Sequence, residues 1–216
     1  MTALFSEPVP DLPAGARLWR GYLDQRAQQM LLAEIAAALK AAPLFTPRMP
    51  RTGRPFSVRM SNVGPLGWVS DKARGYRYQP HHPETGRPWP AMPEMLLDLW
   101  RELAGYPASP EAGLVNYYEP KARMGLHVDN DEEALDAPIL SISLGCAALF
   151  RLGGLKRRGK TIAFRLHAGD VFMLAGPSRL RYHGIDRIFP GTGALPEEIG
   201  AGRINITLRR VTRPVD

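Results

Sequence analysis

Apolar positions recur along the chain with two periods, and the change between them falls near Gly113. Before it the spacing is helical. Asp24 can cap a helix running to about Ala42, where Pro43 stops it, and Leu31, Ile35, Ala38 and Ala42 form one apolar stripe. Pro93 suits the first turn of a second helix, with Leu96, Leu99, Trp100 and Leu103 on its buried face and Gly105 at its end. Between the two lies a polar segment rich in Pro and Gly that carries Trp68, Tyr76, Tyr78 and Trp89. Its short runs at 57–60 and 75–79 are expected to pair as hairpins. Residues 1–17 read as ordered coil over the surface.

After Gly113 the period shortens to two. Strands are expected at 114–118, 139–144, 147–152, 161–166, 171–174, 182–188 and 203–209, with a loop at 191–202. Helices followed by many short strands imply an α+β, mainly β fold. The expected core is a jelly roll or barrel with helices packed outside. No internal repeat is visible. The last strand departs from a simple half-exposed pattern. Ile204, Ile206 and Leu208 alternate with Arg203, Asn205, Thr207 and Arg209. Two readings stay open. The polar face is solvated, or it turns inward and its two arginines meet buried anions, because unpaired buried charge is very costly.

Composition narrows the class without deciding it. A chain of 216 residues suits one domain with a full core. The formal charge of +7 favours an anionic partner such as nucleic acid. Cys146 is the only cysteine and sits in an apolar run. No internal disulfide can form, and a buried structural thiol in a reducing compartment is expected. No apolar run is long enough to cross a bilayer, and the N-terminus lacks a basic region and cleavage site. The expectation is a cytoplasmic protein with no membrane partner.

Candidate chemistry centres on 116–131. His127 and Asp129 are two positions apart, so in extended backbone both side chains project to one side. A second histidine, His183, lies far downstream. Two histidines and one carboxylate on one face of a metal leave positions open and suit a non-haem Fe(II) oxygenase. His81, His82 and His167 lack such context and read as structural or exposed.

The order of these parts resembles a known family. Asn116-x-Tyr118, His127-x-Asp129, His183 and Arg203-x5-Arg209 match the signature of AlkB-type Fe(II)/2-oxoglutarate dioxygenases. Several flanking stretches after about Arg54 also match it, Gly64 to Trp68 and Arg87 to Pro93 among them. The resemblance implies a double-stranded β-helix core at 113–212, an N-terminal extension and helix at 1–45, and a nucleotide-recognition lid at 46–92, all in one domain. It implies that His127, Asp129 and His183 bind Fe(II). It implies that Arg203 grips the distal carboxylate of 2-oxoglutarate, with Asn116 and Tyr118 as hydrogen-bond partners and Asn205 lining the site. Arg209 is expected at the keto-end carboxylate and beside Asp129. O2 completes the cofactor set.

Substrate contacts follow from the same resemblance. Trp68 is expected to stack on an extruded base, with His127 on the other side. Tyr76 and Tyr78 are expected to contact the target nucleotide, Asp131 its exocyclic amino group, and Arg157 the substrate from a basic run. Without the resemblance, Trp68 and the tyrosines read as core or interface, Asp131 as a turn cap and the basic run as solvated loop. The implied reaction is oxidative demethylation of 1-methyladenine and 3-methylcytosine in single-stranded DNA and RNA by a monomer, with release of formaldehyde, succinate and CO2. Two other readings remain open on the residues alone: a 2-oxoglutarate hydroxylase of protein or small molecule, and an inactive nucleic-acid-binding relative.

Overall fold

A computed structural model describes residues 8–214. Helix α1 (Gln25–Ala41) begins where Asp24 accepts a hydrogen bond from the Ala27 amide at 2.8 Å, and helix α2 (Glu94–Leu103) follows Pro93. The Asp24 cap agrees with the sequence, as do Leu31 and Ile35 of the expected stripe, while Ala38 is half-buried and Ala42 is the C-cap. The buried face of α1 is carried by Leu31, Leu32, Ile35 and Ala36.

Around them lie β1 (Ala16–Trp19), β2 (Arg59–Val63), β3 (Gly67–Asp71), β4 (Gly75–Gln79), β5 (Ala112–Tyr118), β6 (Met124–His127) and β7 (Ile139–Gly145). They are followed by β8 (Ala147–Leu152), β9 (Ile162–Leu166), β10 (Val171–Leu174), β11 (His183–Phe189) and β12 (Arg203–Arg209). A six-stranded sheet has the order β1-β10-β7-β12-β5-β2, and a four-stranded sheet the order β6-β11-β8-β9. From β5 to β12 the chain switches between the two sheets at every step but β8 to β9, which is the winding of a double-stranded β-helix.

Side-chain alternation divides the core in two. Between the larger sheet and the helices pack Leu31, Ile35, Leu96, Trp100, Val115, Leu140, Ile142, Ile204, Ile206 and Leu208. The opposite face supplies Leu114, Tyr118, Ile139, Phe172 and Leu174, which meet Phe150, Leu152, Phe164 and Ile185 of the smaller sheet. The polar side of β12 therefore points into the space between the sheets. Arg203 is fully buried and Arg209 and Thr207 nearly so, which settles the two readings of this strand.

Three expectations change. Residues 16 and 17, expected as coil, open an edge strand at 16–19 on β10, with Ala16 and Leu18 turned inward; the expectation for residues 1–7 lies outside the described residues. The run at 57–60 does not pair with 75–79. Its end enters β2, which pairs with β5 in the larger sheet, while β4 pairs with β3. Within 46–92 only the β3–β4 hairpin forms a sheet of its own. Lastly, β6 is only four residues long and was not anticipated as a paired strand.

Candidate metal centre and cosubstrate cavity

Strand pairing builds the centre. His127 closes β6 and His183 opens β11, and the register makes them direct cross-strand partners with ring centroids 4.5 Å apart. Gly184 follows because β6 comes too near for a side chain: a Cβ there would stand 2.5 Å from the Met124 carbonyl oxygen. Asp129 lies just past β6. Its Oδ1 is 3.6 Å from His127 Nε2 and its Oδ2 3.6 Å from His183 Nε2. The ligand atoms of all three lie within 4.8 Å of one another, the spacing that lets one ion touch each.

Both imidazoles are oriented through their other nitrogen. His127 Nδ1 bonds the Gly125 carbonyl at 2.9 Å and His183 Nδ1 the Arg181 carbonyl at 3.0 Å. A backbone carbonyl only accepts, so each Nδ1 carries the proton and each Nε2 offers a lone pair inward. Withdrawal from water and the facing His183 push the His127 pKa down to about 4, which keeps the ring in its neutral, ligating form. Burial alone would raise the Asp129 carboxyl. Against it stands the Arg209 guanidinium, with Nη2 at 2.8 Å, and the group is held well below the carboxylate range.

Beside this triad runs a cavity of about 400 Å³ lined by Asn116, Tyr118, Arg203, Asn205, Thr207 and Arg209, among others. Arg203 is its most informative member. Its guanidinium bonds only neutral groups: Ser143 Oγ at 2.7 Å, the Cys146 carbonyl at 3.3 Å and the Leu166 carbonyl at 3.5 Å. Among the described residues no carboxylate pairs with it, and its Nε has no partner. Burial draws its pKa down to about 10. A buried cation served only by neutral groups fits an anionic ligand. The residues present therefore fit both a ferrous ion and a dicarboxylate. Asn205 lines the same cavity, but its amide is engaged by Ser141, the Ile142 carbonyl and Thr207, so it shapes the wall.

The mouth gathers most of the expected substrate residues. Trp68, Tyr76, Asp131 and Arg157 line the cavity together with His127. Trp68 donates its indole N–H to Asp131 Oδ2 at 2.8 Å and stacks on Tyr76 with centroids 5.4 Å apart. Burial raises the Asp131 pKa against the opposing indole bond. Tyr78 is different. Its hydroxyl donates to Glu132 and accepts from Arg209 Nη1 at 2.9 Å, behind the ligands and off the cavity wall. Its ring stays half-buried on the hairpin, where Tyr78 is the cross-strand partner of Trp68.

Glu132 and Arg179 escaped the sequence reading. Glu132 sits in an acidic run that looks solvated, yet its side chain is fully buried against Arg179 Nη2 at 3.0 Å. Arg179 also reaches the Asp129 carbonyl at 2.6 Å and the Ala137 carbonyl at 2.7 Å. Nothing in the local pattern marks a lone arginine after a 3-10 turn as the anchor of the segment that carries Asp129. Cys146 and His82 are buried and structural, as expected. The thiol points to the Gly193 carbonyl, and His82 binds the Pro43 carbonyl and the Glu84 and Thr85 amides.

Comparison with known proteins agrees with this geometry. Residues 15–209 match the family model of the 2OG-Fe(II) oxygenase superfamily. The chain is 50% identical over 207 residues to a Caulobacter vibrioides protein named alpha-ketoglutarate-dependent dioxygenase AlkB homolog, covering 96% of this chain and 92% of that one. It is 39% identical to the Escherichia coli alpha-ketoglutarate-dependent dioxygenase AlkB, covering 97% and 98%. A 130-residue stretch is 35% identical to the Mus musculus nucleic acid dioxygenase ALKBH1, covering 58% and 33%. Among solved structures, that of OsALKBH1 superposes with a TM-score of 0.74 at 29% identity, covering 92% of this chain and 99% of that one.

Proposed function

The chain belongs to the 2OG-Fe(II) oxygenase superfamily and, within it, to the AlkB-type alpha-ketoglutarate-dependent dioxygenases, and from that membership we propose its substrate and the work of each residue. It is an Fe(II)/2-oxoglutarate-dependent dioxygenase that demethylates nucleic acid oxidatively. Its targets are 1-methyladenine and 3-methylcytosine in single-stranded DNA and in RNA. The observation that carries this reading is one cavity shared by the His127–Asp129–His183 triad, the buried Arg203 and the mouth residue Trp68.

His127, Asp129 and His183 hold the iron, each oriented by the backbone or guanidinium contact already described. Arg203 takes the distal carboxylate of 2-oxoglutarate in a charge-assisted bond, with Asn116 and Tyr118 beside it. Arg209 keeps Asp129 ionised and turned to the ion. With O2, the bound iron and keto acid supply the oxidation, in which 2-oxoglutarate leaves as succinate and CO2 and the hydroxylated N-methyl group is lost as formaldehyde. Trp68 offers a face to an extruded base. The Asp131 carboxylate at the cavity wall favours the cationic methylated bases over their neutral parents. Arg157 meets the phosphate backbone at the rim.

The flexible backbone of a single strand lets a base reach a recessed cavity, which supports that form of substrate over duplex. We place the protein in the cytoplasm as a monomer. Support for the cytoplasm comes from its free, buried Cys146, which suits a reducing compartment.

The test follows formaldehyde and succinate on oligonucleotides bearing one 1-methyladenine, single- and double-stranded, as DNA and as RNA. Both products should rise together, fastest on the single strand. Background succinate with every oligonucleotide, but stimulation by a peptide, would assign the chain to another substrate class. Asp129→Ala should reduce formaldehyde to background while oligonucleotide binding persists. Unaltered demethylation by that variant would sink the metal assignment.

A further inference from the structure

The buried charges behind the ligands reach further than holding Asp129 requires. Asp129, Glu132, Arg179 and Arg209 make two carboxylates and two guanidiniums, so their formal charges cancel. All four belong to the double-sheet body. The fifth member, Tyr78, does not. It sits on β4 of the separate hairpin, as the direct cross-strand partner of Trp68. Its hydroxyl donates to Glu132 Oε1 and accepts from Arg209 Nη1. Arg209 in turn gives Nη2 to Asp129 at 2.8 Å and holds Nε 3.5 Å from Glu132. One hydroxyl therefore joins the strand pair that carries Trp68 to the guanidinium that sets a metal ligand.

We propose that Tyr78 and Glu132 are positioning residues that couple nucleic acid on the β3–β4 hairpin to the orientation of Asp129, and hence to metal affinity. The inference rests on the nucleic-acid reading above. A base stacked on Trp68 acts on the strand pair to which Tyr78 belongs. Any shift of the hydroxyl changes how Arg209 divides its donors between Tyr78 and Asp129, since its Nε has no hydrogen-bond partner. Glu132 is the fixed point of this exchange, because Arg179 pins its other oxygen and also binds the Asp129 carbonyl. Burial holds the Tyr78 hydroxyl well above its ordinary pKa, so it remains a donor throughout. Coupling between two sites is reciprocal: whatever factor the oligonucleotide adds to metal binding, the metal adds to oligonucleotide binding. Replacing Tyr78 by Phe removes the hydroxyl that forms the link and keeps the ring on the hairpin.

The experiment measures Co(II) affinity of the full chain by its visible absorption, with 2-oxoglutarate, in the presence and absence of a short oligothymidine carrying one 1-methyladenine. Oligonucleotide affinity is measured with and without Co(II). In the wild type both ratios should agree and exceed about 5-fold. In Tyr78→Phe, which keeps the ring, both should fall towards one. In Glu132→Gln, which keeps the shape and an acceptor, they should fall part of the way. A purely structural clamp would weaken each affinity and leave the ratio intact, and an unchanged ratio in Tyr78→Phe overturns the proposal. A wild-type ratio of one overturns it as well, whether or not the variants fold. Absence of any oligonucleotide binding by the wild type would instead remove the substrate reading, and this inference with it.

Discussion

Strand β12 presents Ile204, Ile206 and Leu208 to the helices and Arg203, Asn205, Thr207 and Arg209 to the space between the sheets. The two faces are buried to similar degrees, yet they are completed differently. Towards the helices every contact comes from the chain itself, through Leu31, Leu96 and Trp100. Towards the smaller sheet the chain sets a buried cation that no described carboxylate pairs, and three side chains spaced to share one ion. Burial therefore does not separate core from site. What separates them is whether the protein's own groups satisfy what is buried.

The sharpest way to break this comparison is to truncate one residue on each face. Arg203→Ala should cost 2-oxoglutarate binding about 2–5 kcal/mol, on the order of 30-fold or more in KM, because the ligand carboxylate then has no partner. The same change should cost the ligand-free fold little, since it removes a buried charge that no carboxylate compensates. The thermal stabilisation that 2-oxoglutarate and Co(II) give the wild type should shrink with it. Ile206→Ala should do the reverse. It leaves a cavity in a closed core and should lower unfolding stability by about 2–5 kcal/mol, with kcat and KM of the folded fraction near wild type. Denaturant titration and steady-state kinetics on both variants read the crossing. If Arg203→Ala destabilised the ligand-free protein as much as Ile206→Ala, the two faces would be the same kind of core.

Sequence periodicity disclosed the helices and most strands because each is specified by its own residues. Asp24 and Pro93 mark helix starts, and the alternation of β12 was visible in full. Which face of β12 turns inward was not, because that depends on β7 and β5 beside it and on the sheet opposite. The ligand triad was legible for a related reason. His127 and Asp129 share one stretch of extended chain, and His183 follows from family order. Edge strand β1 was hidden by the prolines around it, and β6 by its four-residue length. Glu132 and Arg179 stayed hidden because a buried ion pair formed 47 residues apart leaves no local trace. The inner bonds of the Tyr78 hydroxyl were hidden as well, because Glu132 and Arg209 meet it only in the folded chain.

A smaller effect, at the cavity mouth, sharpens the distinction between a face closed by protein and a face closed by ligand. Trp68 is nearly buried, packed edge-on by Phe56, stacked on Tyr76 and bonded to Asp131, so by burial it belongs to the core. If it serves the substrate, Trp68→Ala should cost oligonucleotide affinity about 1–3 kcal/mol, the usual worth of one base-aromatic stack. Co(II) and 2-oxoglutarate affinities should stay near wild type, since neither Arg203 nor the triad bonds it. Trp68→Phe separates stacking from the indole bond. It retains an aromatic face, so most affinity should return, while the Asp131 carboxylate loses its N–H partner. That loss should relax the preference for 1-methyladenine over unmodified adenine more than it weakens binding to either. Equal losses in Trp68→Phe and Trp68→Ala would place the contribution of this residue in the indole bond to Asp131. Loss of protein stability without loss of affinity would return Trp68 to the core.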